Sequence, residues 1–368
     1  MTKYFFPQAL IVLVSALFSL YKVNAQDTPM TWRQALRQEA DWYGSPEALR
    51  IADQVLIYQH PNGGWAKNVD MAAPLDAAQI KAIKQEQSNP DSDLSETTID
   101  NGATHTEMRF LARVYERTGE KKYKKAFLKG LDYLLEAQYD NGGWPQFYPL
   151  KKGYYENITF NDGAMMGVMW QLRQVVDGAY DFVDPTRIKR AKEAIDKGLE
   201  VILKMQVKVN AELTVWCAQH DPVTLAPAKA RAYEHISLSG SESVGILKYL
   251  MSIDNPSPEV IAAVKGAVAW FEKVKLTDVR IIRKEDDTLP RGFDKLVAFD
   301  PMNAEPLWAR FYEIGTNYPI FSDRRSIVLY SLSEISYERR VGYRWFGSWP
   351  QQTLVEDYPK WCEKWGVQ

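Results

Sequence analysis

The residues best suited to chemistry lie in two short segments that repeat one polar phrase. Thr98–Ala103 reads TIDNGA and Thr159–Ala164 reads TFNDGA, so Asp and Asn are exchanged between the two copies. Each phrase precedes apolar residues at helical spacing, where Asp or Asn is an ordinary helix N-cap. Helix N-termini also favour anions, and equivalent helices of a repeat gather their N-termini at one end of a molecule. The repetition therefore favours a shared site over capping alone.

Two further phrases place an arginine among aromatic residues. Ala230–Glu234 reads ARAYE, ahead of a third helix start at Ser237–Ser241, and Trp308–Glu313 reads WARFYE. An isolated arginine of this kind often only stacks on a ring, but two copies favour a functional role. Guanidinium groups bind carboxylates through paired hydrogen bonds. Asp100 and Asp162, which have no matching histidines, suit a hard cation such as calcium. This combination predicts a carboxylated, polyanionic substrate.

Phrases typical of several other catalytic classes are missing from the sequence. It has no zinc-ligand spacing, no H-E-x-x-H, no G-x-S-x-G, no P-loop and no G-x-G-x-x-G. Among the four histidines, His220 beside Asp221 forms the best candidate pair. We interpret this pair as a structural loop hydrogen bond rather than as a catalytic dyad.

The elements that must position these residues are mostly helices. Apolar periodicity is helical throughout, and β-branched segments are too few for a large sheet. A stretch from about 276 to 322 differs, because its prolines and short alternating pieces predict an irregular, partly extended segment. The predicted helices span roughly 45–59, 102–118, 122–138, 162–180, 185–206, 240–253, 257–274 and 323–338.

A second repeat follows the predicted helices. Gln59–Trp65 matches Gln138–Trp144 through a common Asn-Gly-Gly turn, and a degraded copy runs from Gln206 to Cys217. Asn-Gly-Gly is strong turn chemistry, so a helix-ending turn with a packed tryptophan explains each copy. Together the repeats predict at least three helical hairpins of about 70 residues, stacked or closed into a ring. We therefore expect an all-α barrel of helix pairs with functional loops on one face.

The N-terminus is typical of a secretory signal. A lysine precedes a short apolar stretch over Ala9–Leu20 and a small-residue cleavage site ending at Ala25. The apolar stretch is too short to span a bilayer. We expect a signal peptide at 1–25, a single catalytic domain at 26–368 and a final location that is secreted or periplasmic.

Composition narrows the class of partner. The formal net charge is −2 and no basic run occurs, which argues against nucleic acid. The 12 tryptophans and 20 tyrosines favour carbohydrate, because such rings are common stacking surfaces for sugars. Cys217 and Cys362 allow one disulfide, whose formation the sequence leaves open. We expect a monomer.

Taken in order, these motifs resemble the pectate lyases of polysaccharide lyase family ten. The resemblance covers essentially the whole mature chain. It rests on Thr98–Thr106, Gln138–Trp144, Phe160–Ala164, Ala230–Ser243 and Trp308–Glu313. It implies an (α/α)3 toroid and calcium-dependent β-elimination on polygalacturonate.

The resemblance also implies roles for individual residues. Asp162 matches the aspartate that holds the catalytic calcium, and Asp100 matches a second metal-associated aspartate. Arg231 matches the proposed base, and Arg310 matches a substrate-binding arginine, with Asn101 a further substrate-binding candidate. Because arginine is almost always protonated, an arginine-positioned hydroxide remains an alternative base.

The chain departs from the family pattern near its irregular segment. Tyr318–Phe321 and Asp323–Ser326 stand where the family has an arginine before proline and an Arg-Asp-Gly phrase. This departure implies a lost distal contact or a shifted subsite preference, and it leaves Asp100, Asp162 and the two arginines untouched.

Three other functions agree with parts of this pattern. A glycoside hydrolase on a helical barrel would use Asp100 and Asp162 as acid and base, without the metal dependence of a lyase. A non-catalytic pectin-binding toroid would use the arginines only for binding. The Gln-x3-Gly-x-Trp repeat also occurs in triterpene cyclases, but their Asp-x-Asp-Asp motif is missing here and export argues against them.

Overall fold

Helices dominate the structure, a computed structural model that describes residues 30–367. The predicted signal peptide lies outside the described residues, and no helix within them is long and apolar enough to cross a membrane. The helices are α1 (Trp32–Ala35), α2 (Pro46–Tyr58), α3 (Ala77–Glu86), α4 (His105–Thr118), α5 (Lys121–Glu136), α6 (Ala164–Val176), α7 (Pro185–Met205), α8 (Glu242–Met251), α9 (Pro258–Lys273), α10 (Tyr337–Gly342) and α11 (Tyr358–Trp365).

Strands are short and pair antiparallel in twos: β1 with β4, β2 with β3, β5 with β9, β6 with β7 and β8 with β10. Their bounds are β1 (Ile158–Thr159), β2 (Lys208–Val209), β3 (Glu212–Leu213), β4 (Gln219–His220), β5 (Leu238–Ser239), β6 (Val279–Glu285), β7 (Phe293–Phe299), β8 (Trp308–Ala309), β9 (Phe311–Tyr312) and β10 (Phe346–Gly347).

The main helices form an (α/α)3 toroid, as the sequence predicted. Hairpins α4–α5, α6–α7 and α8–α9 follow one another along the chain. Among their first helices, α6 contacts both α4 and α8 in one layer, and among their second helices, α7 contacts both α5 and α9 in another. The turns that precede α4 and α6 contact each other, and Glu242 at the start of α8 pairs with the same arginine as Asp162 before α6. The starts of α4, α6 and α8 therefore lie close together at one end of the molecule.

Local sequence signals fix where these helices begin and end. Gly119 ends α4 in the left-handed conformation, with a φ of 69°. Asp184 and Ser257 cap α7 and α9 through their side chains, and each is followed by proline at the first helical position. The predicted turn signals therefore act as helix boundaries.

The Gln-to-Trp repeat locks neighbouring hairpins together. Each glutamine amide donates to a carbonyl of its own turn and to a carbonyl of the next second-layer helix, while each tryptophan indole donates to the helix before it. The glutamine bonds are Gln59 to Gly63 and Ala126, Gln138 to Gly142 and Ala194, and Gln206 to Thr214 and Ala263. The indole bonds are Trp65 to Val55, Trp144 to Leu134, and Trp216 to Ile202. The degraded third copy is thereby confirmed as structurally equivalent to the other two.

The predicted helix over 323–338 is wrong. The Asp323 carboxylate accepts hydrogen bonds from the Arg325 guanidinium at 2.7 Å and from the Ser336 amide at 2.7 Å. Phe321 and Leu329 form a β-bridge across the segment, and Ser326 has a φ of 62°. These contacts close the segment into a loop, and helix α10 begins only at Tyr337.

The segment from about 276 to 322 is partly extended, as expected. The β6–β7 hairpin pairs Val279 with Phe299 at one end and Glu285 with Phe293 at the other. Strands β8 and β9 follow it and flank Arg310. Cys217 and Cys362, both among the described residues, are free thiols.

Candidate active site

The two repeated phrases fold into the same turn at the helix starts. Asn101 has φ 51° and ψ 28°, and Asp162 has φ 50° and ψ 25°. Glycine follows each of them with positive φ, which explains the Gly in both phrases. The turns Asp100–Gly102 and Asn161–Gly163 contact each other, and the second also contacts α8. The predicted gathering of polar helix starts is therefore confirmed.

The exchange of Asp and Asn decides which carboxylate is buried. The first position of each turn is buried and carries Asp100 or Asn161, which are 4% and 5% exposed. The second position is exposed and carries Asn101 or Asp162. One carboxylate therefore belongs to the interior of the site and the other to its surface.

Asp100 is the interior carboxylate, and it is fully engaged. Its Oδ2 accepts hydrogen bonds from the Lys67 ammonium at 2.6 Å and the Gln146 amide at 2.7 Å. The Asn101 amide N–H donates to Oδ1 at 3.0 Å. Lys67 also lies 5.2 Å from the centre of the Phe147 ring. The ammonium compensates the buried charge, as burial of a carboxylate requires.

Asp162 is the surface carboxylate, with a side chain that is 38% exposed. The Asn161 amide donates to Oδ2 at 2.7 Å, and the Arg310 guanidinium donates to Oδ1 at 3.4 Å. Nearby, Asn101 donates its amide to Asn68 at 3.0 Å, so its carbonyl oxygen remains an acceptor.

Arg310 is held almost completely inside the protein, with 8% exposure. Its guanidinium forms an ion pair with Glu242, at the start of α8, and reaches Asp162 with the same Nη2 atom. Nε is buried without a hydrogen-bond partner among residues 30–367. Burial lowers the pKa of Arg310, but Glu242 and its other neighbours outweigh this and hold the pKa above its ordinary value. The group is therefore a fixed cation.

The backbone around Arg310 explains this placement. The Arg310 amide donates to the Trp345 carbonyl at 2.7 Å, and its own carbonyl accepts from Gly240 at 2.8 Å. A side chain at Gly240 would place Cβ 2.2 Å from the Ala309 carbonyl oxygen, so only glycine allows this approach.

Arg231 lies in a separate loop and is bound to Glu234. The guanidinium donates to the two carboxylate oxygens at 2.8 Å and 2.5 Å. Burial lowers the pKa of Arg231, but the hydrogen bonds and charge of Glu234 raise it above its ordinary value. The Tyr343 hydroxyl donates to the same carboxylate at 2.9 Å, and the Tyr343 ring centre lies 4.7 Å from the Arg310 guanidinium carbon.

These contacts form one continuous network across the predicted residues. It runs from Arg231 through Glu234 and Tyr343 to Arg310 and Asp162. The structure thus places both predicted arginines and the predicted Asp162, which lies at the surface, in one network, with the Asp100 turn beside it.

Sequence reasoning missed the residues that hold this network. Glu234 was the easiest of them to predict from the sequence, because it lies three positions after Arg231 within the ARAYE phrase. Glu242 is an acidic residue in the first turn of a helix, but a favourable interaction with the helix dipole explains such a residue equally well. No sequence signal pointed to Lys67 or Tyr343, because each bonds to a residue that is distant along the chain.

The oxygen donors of this centre fit a hard cation. No group of three or more His, Cys, Asp and Glu side chains is arranged to hold a metal in the part of the chain that is described. Asp162 nevertheless exposes a carboxylate, and the amide carbonyl of Asn101 lies in the adjacent turn. Calcium accepts carboxylate, amide and water oxygens together, so a site completed by a ligand and solvent agrees with this donor set.

His220 and Asp221 form no dyad, as interpreted from the sequence. His220 Nε2 accepts from the Cys217 amide at 3.2 Å, and Nδ1 donates to the Leu225 carbonyl at 2.9 Å. Asp221 instead accepts from Thr224 within its own turn. Burial lowers the pKa of His220 to about 4, so the imidazole is a neutral structural group.

Comparison with known proteins gives a consistent result. Residues 59–354 match the family described as pectic acid lyase. A family 10 polysaccharide lyase from Cellvibrio cellulosa is 37% identical, with a TM-score of 0.72 over 89% of this chain and 95% of that one. An aspartate-to-alanine mutant of a family 10 polysaccharide lyase from the same organism, in complex with trigalacturonic acid, is 36% identical. Its TM-score is 0.72 over 89% of this chain and 96% of that one. No curated protein matches the chain.

Proposed function

Because the chain belongs to the pectic acid lyase family and is a pectate lyase, we propose that it cleaves polygalacturonate by calcium-dependent β-elimination after export. The products would be 4,5-unsaturated oligogalacturonides. The observation that carries the proposal is the convergence of Arg310 and Asp162, with Arg231 joined to them through Glu234 and Tyr343. The trigalacturonic acid complex of the similar enzyme supports an oligogalacturonide substrate.

The reaction requires removal of a weakly acidic proton. The C5 proton of a galacturonate lies next to a carboxylate, and its loss places further negative charge on that group. Bound calcium would supply positive charge that neutralises the substrate carboxylate. Arg310 is a rigid cation, ion-paired inside the protein, and would stabilise the same developing charge without reorganising.

We assign calcium binding to Asp162, with Asp100 as the second metal-associated carboxylate. The exposure of Asp162 supports its part in the proposal. Asp100 already accepts hydrogen bonds from Lys67 and Gln146 on Oδ2, so Oδ1, which accepts the Asn101 amide, is the oxygen that it would offer to the cation. Asn101 would bind substrate or metal through its amide carbonyl oxygen.

Arg231 is the proposed proton acceptor. Its Nε and Nη2 atoms are bonded to Glu234, so Nη1 is the part of the guanidinium left for substrate. Because Glu234 stabilises the protonated form, Arg231 would act only when the proton is lost at alkaline pH, or would position a hydroxide that removes it. Both routes predict a rate that rises with pH.

The test uses the chain without residues 1–25 on polygalacturonate. We expect ultraviolet absorbance from unsaturated ends to rise with calcium and to stop when a chelator is added. The Asp162→Asn variant should lose the calcium-supported rate, whereas Asp254→Asn, beyond the far end of α8, should retain it. Reducing ends without an unsaturated chromophore would mean hydrolysis. Binding without any cleavage would support a pectin-binding role.

A further inference from the structure

Tyr343 lies between Arg231 and Arg310. Its hydroxyl contacts the carboxylate that binds Arg231, and its ring contacts the Arg310 guanidinium. Its hydroxyl donates to Glu234 Oε1 at 2.9 Å, the oxygen that also accepts Arg231 Nη2 at 2.5 Å. Its ring centre lies 4.7 Å from the Arg310 guanidinium carbon, within the range of a cation–π interaction. The Tyr343 side chain therefore connects Arg231, the proposed proton acceptor, to Arg310, the proposed substrate-binding arginine.

The orientation of Tyr343 is fixed by its packing. Its ring centre is 5.3 Å from Tyr233, 5.0 Å from Trp345 and 6.4 Å from Phe311, with the last pair stacked. The Lys295 ammonium donates to the Tyr343 backbone carbonyl at 3.3 Å. Because the ring cannot turn without disturbing this cluster, the hydroxyl is held on Glu234.

We propose that Tyr343 is a positioning residue that acts on Arg231 through its hydroxyl and on Arg310 through its ring. The hydroxyl donates a hydrogen bond to Glu234 and so reduces the negative charge that this carboxylate presents to Arg231. The protonated form of Arg231 is therefore stabilised less. The ring stabilises the guanidinium of Arg310 and keeps it aimed at Asp162. The inference rests on the proposed function of Arg231 and Arg310.

The charge balance around Glu234 gives the direction of the effect. Arg231 and Tyr343 bond to Glu234. Tyr154 lies close enough to interact with the charges of both Arg231 and Glu234, and Arg339 with that of Arg231. Arg310, paired with Glu242, lies across the Tyr343 ring. Of these groups, only Tyr343 supplies a neutral donor to the carboxylate oxygen that holds Arg231. Without it, Glu234 places more negative charge on Arg231 and makes loss of its proton harder.

The decisive variant is Tyr343→Phe, which removes the hydroxyl and keeps the ring. We expect kcat on polygalacturonate to fall about 3- to 10-fold, as for the loss of one hydrogen bond. The rising limb of the kcat–pH profile should move to higher pH, while KM stays within about twofold of the wild-type value. Tyr343→Leu, which also removes the ring, should in addition raise KM.

Two further variants make the test specific. Tyr330→Phe is the matched control, because the exposed Tyr330 also donates to a glutamate, Glu313, at 2.7 Å but lies outside the network. It should change neither kcat nor the pH profile. Glu234→Gln should move the rising limb to lower pH, opposite to Tyr343→Phe, because it removes the charge that stabilises protonated Arg231.

An unchanged kcat and pH profile in Tyr343→Phe, with a native circular dichroism spectrum, would overturn the inference. So would a shift of the same sign in Tyr343→Phe and Glu234→Gln. Failure of the proposed function is a separate outcome, detected by Arg231→Lys. If that variant keeps its turnover, Arg231 is not the proton acceptor, whatever the behaviour of Tyr343.

Discussion

Glu107 on α4 is a buried acid whose ionisation should lower the stability of the fold as the pH rises. Its side chain is 3% exposed, and Oε2 has no hydrogen-bond partner among residues 30–367. Burial raises the pKa of Glu107 from 4.5 to about 7, although nearby amide and hydroxyl donors oppose the shift. The folded protein therefore binds this proton more tightly than the unfolded chain does.

The sign of the stability effect follows from that difference. A group whose folded pKa is raised loses its contribution to stability as pH rises from the unfolded pKa to the folded pKa. For Glu107 the window is roughly pH 4.5 to 7. The cost of ionisation is about 3 kcal/mol at pH 8 and about 1 kcal/mol at pH 5.

We expect Glu107→Gln to remove this dependence, because glutamine is neutral and nearly the same shape. The free energy of unfolding of the variant, relative to wild type, should improve by about 2 kcal/mol between pH 5 and pH 8. Urea unfolding at the two pH values measures the change. His105 nearby also titrates abnormally, because burial lowers its pKa to about 3, but it is present in both proteins and cancels in the comparison.

The control is Glu136→Gln, at the exposed end of α5, which should show no such change. The same difference in unfolding free energy between Glu107→Gln and wild type at both pH values would contradict this prediction. It would mean that Glu107 is ionised in the folded protein and stabilised by contacts that burial does not explain.

The remaining predictions concern the active site. Asp162→Ala should lose calcium-supported turnover yet keep its circular dichroism spectrum, because the exposed Asp162 caps no helix and its ion pair with Arg310 contributes only about 0–1 kcal/mol. Arg231→Lys should bind trigalacturonate near wild-type affinity by calorimetry while kcat falls about 10²–10⁴-fold, and Arg310→Ala should raise KM as well as lower kcat in initial-rate assays. Glu242→Ala should reduce the free energy of urea unfolding by about 3–5 kcal/mol, because it removes the closer and more buried of the two carboxylates that pair with Arg310 and leaves only the exposed Asp162. An Arg310→Ala/Glu242→Ala double variant no more stable than Glu242→Ala alone would contradict this.

The fold was predictable because its signals are local and repeated. The helix caps at Asp184 and Ser257 and the C-terminal glycine at Gly119 act through residues within one turn of themselves. Each copy of the Gln-to-Trp phrase makes the same bonds to neighbouring helices, so three copies reveal one architecture.

The error over 323–338 has the opposite cause. Its apolar spacing resembles a helix, but the Asp323 carboxylate bonds to Arg325 and to the Ser336 amide across thirteen positions. A contact of that range competes with helical hydrogen bonds and leaves no periodic trace in the sequence. The bonds of Tyr343 to Glu234 and of Lys67 to Asp100 were hidden for the same reason.

The exchange of Asp and Asn shows how a repeat can produce two different groups from one turn. Both turns have nearly the same backbone, with a buried first position and an exposed second position. Asp in the buried position requires a compensating charge, which Lys67 supplies from another part of the chain. Asp in the exposed position requires none, and its carboxylate stays open to Arg310 and to ligands. Exchanging the pair at residues 161 and 162 would move the carboxylate into the buried position, beside the Arg310 Nη2 atom that already donates to Asn161 Oδ1 at 3.5 Å, and would withdraw it from ligands at the surface. The order of the two residues therefore decides whether this turn presents a carboxylate to solvent.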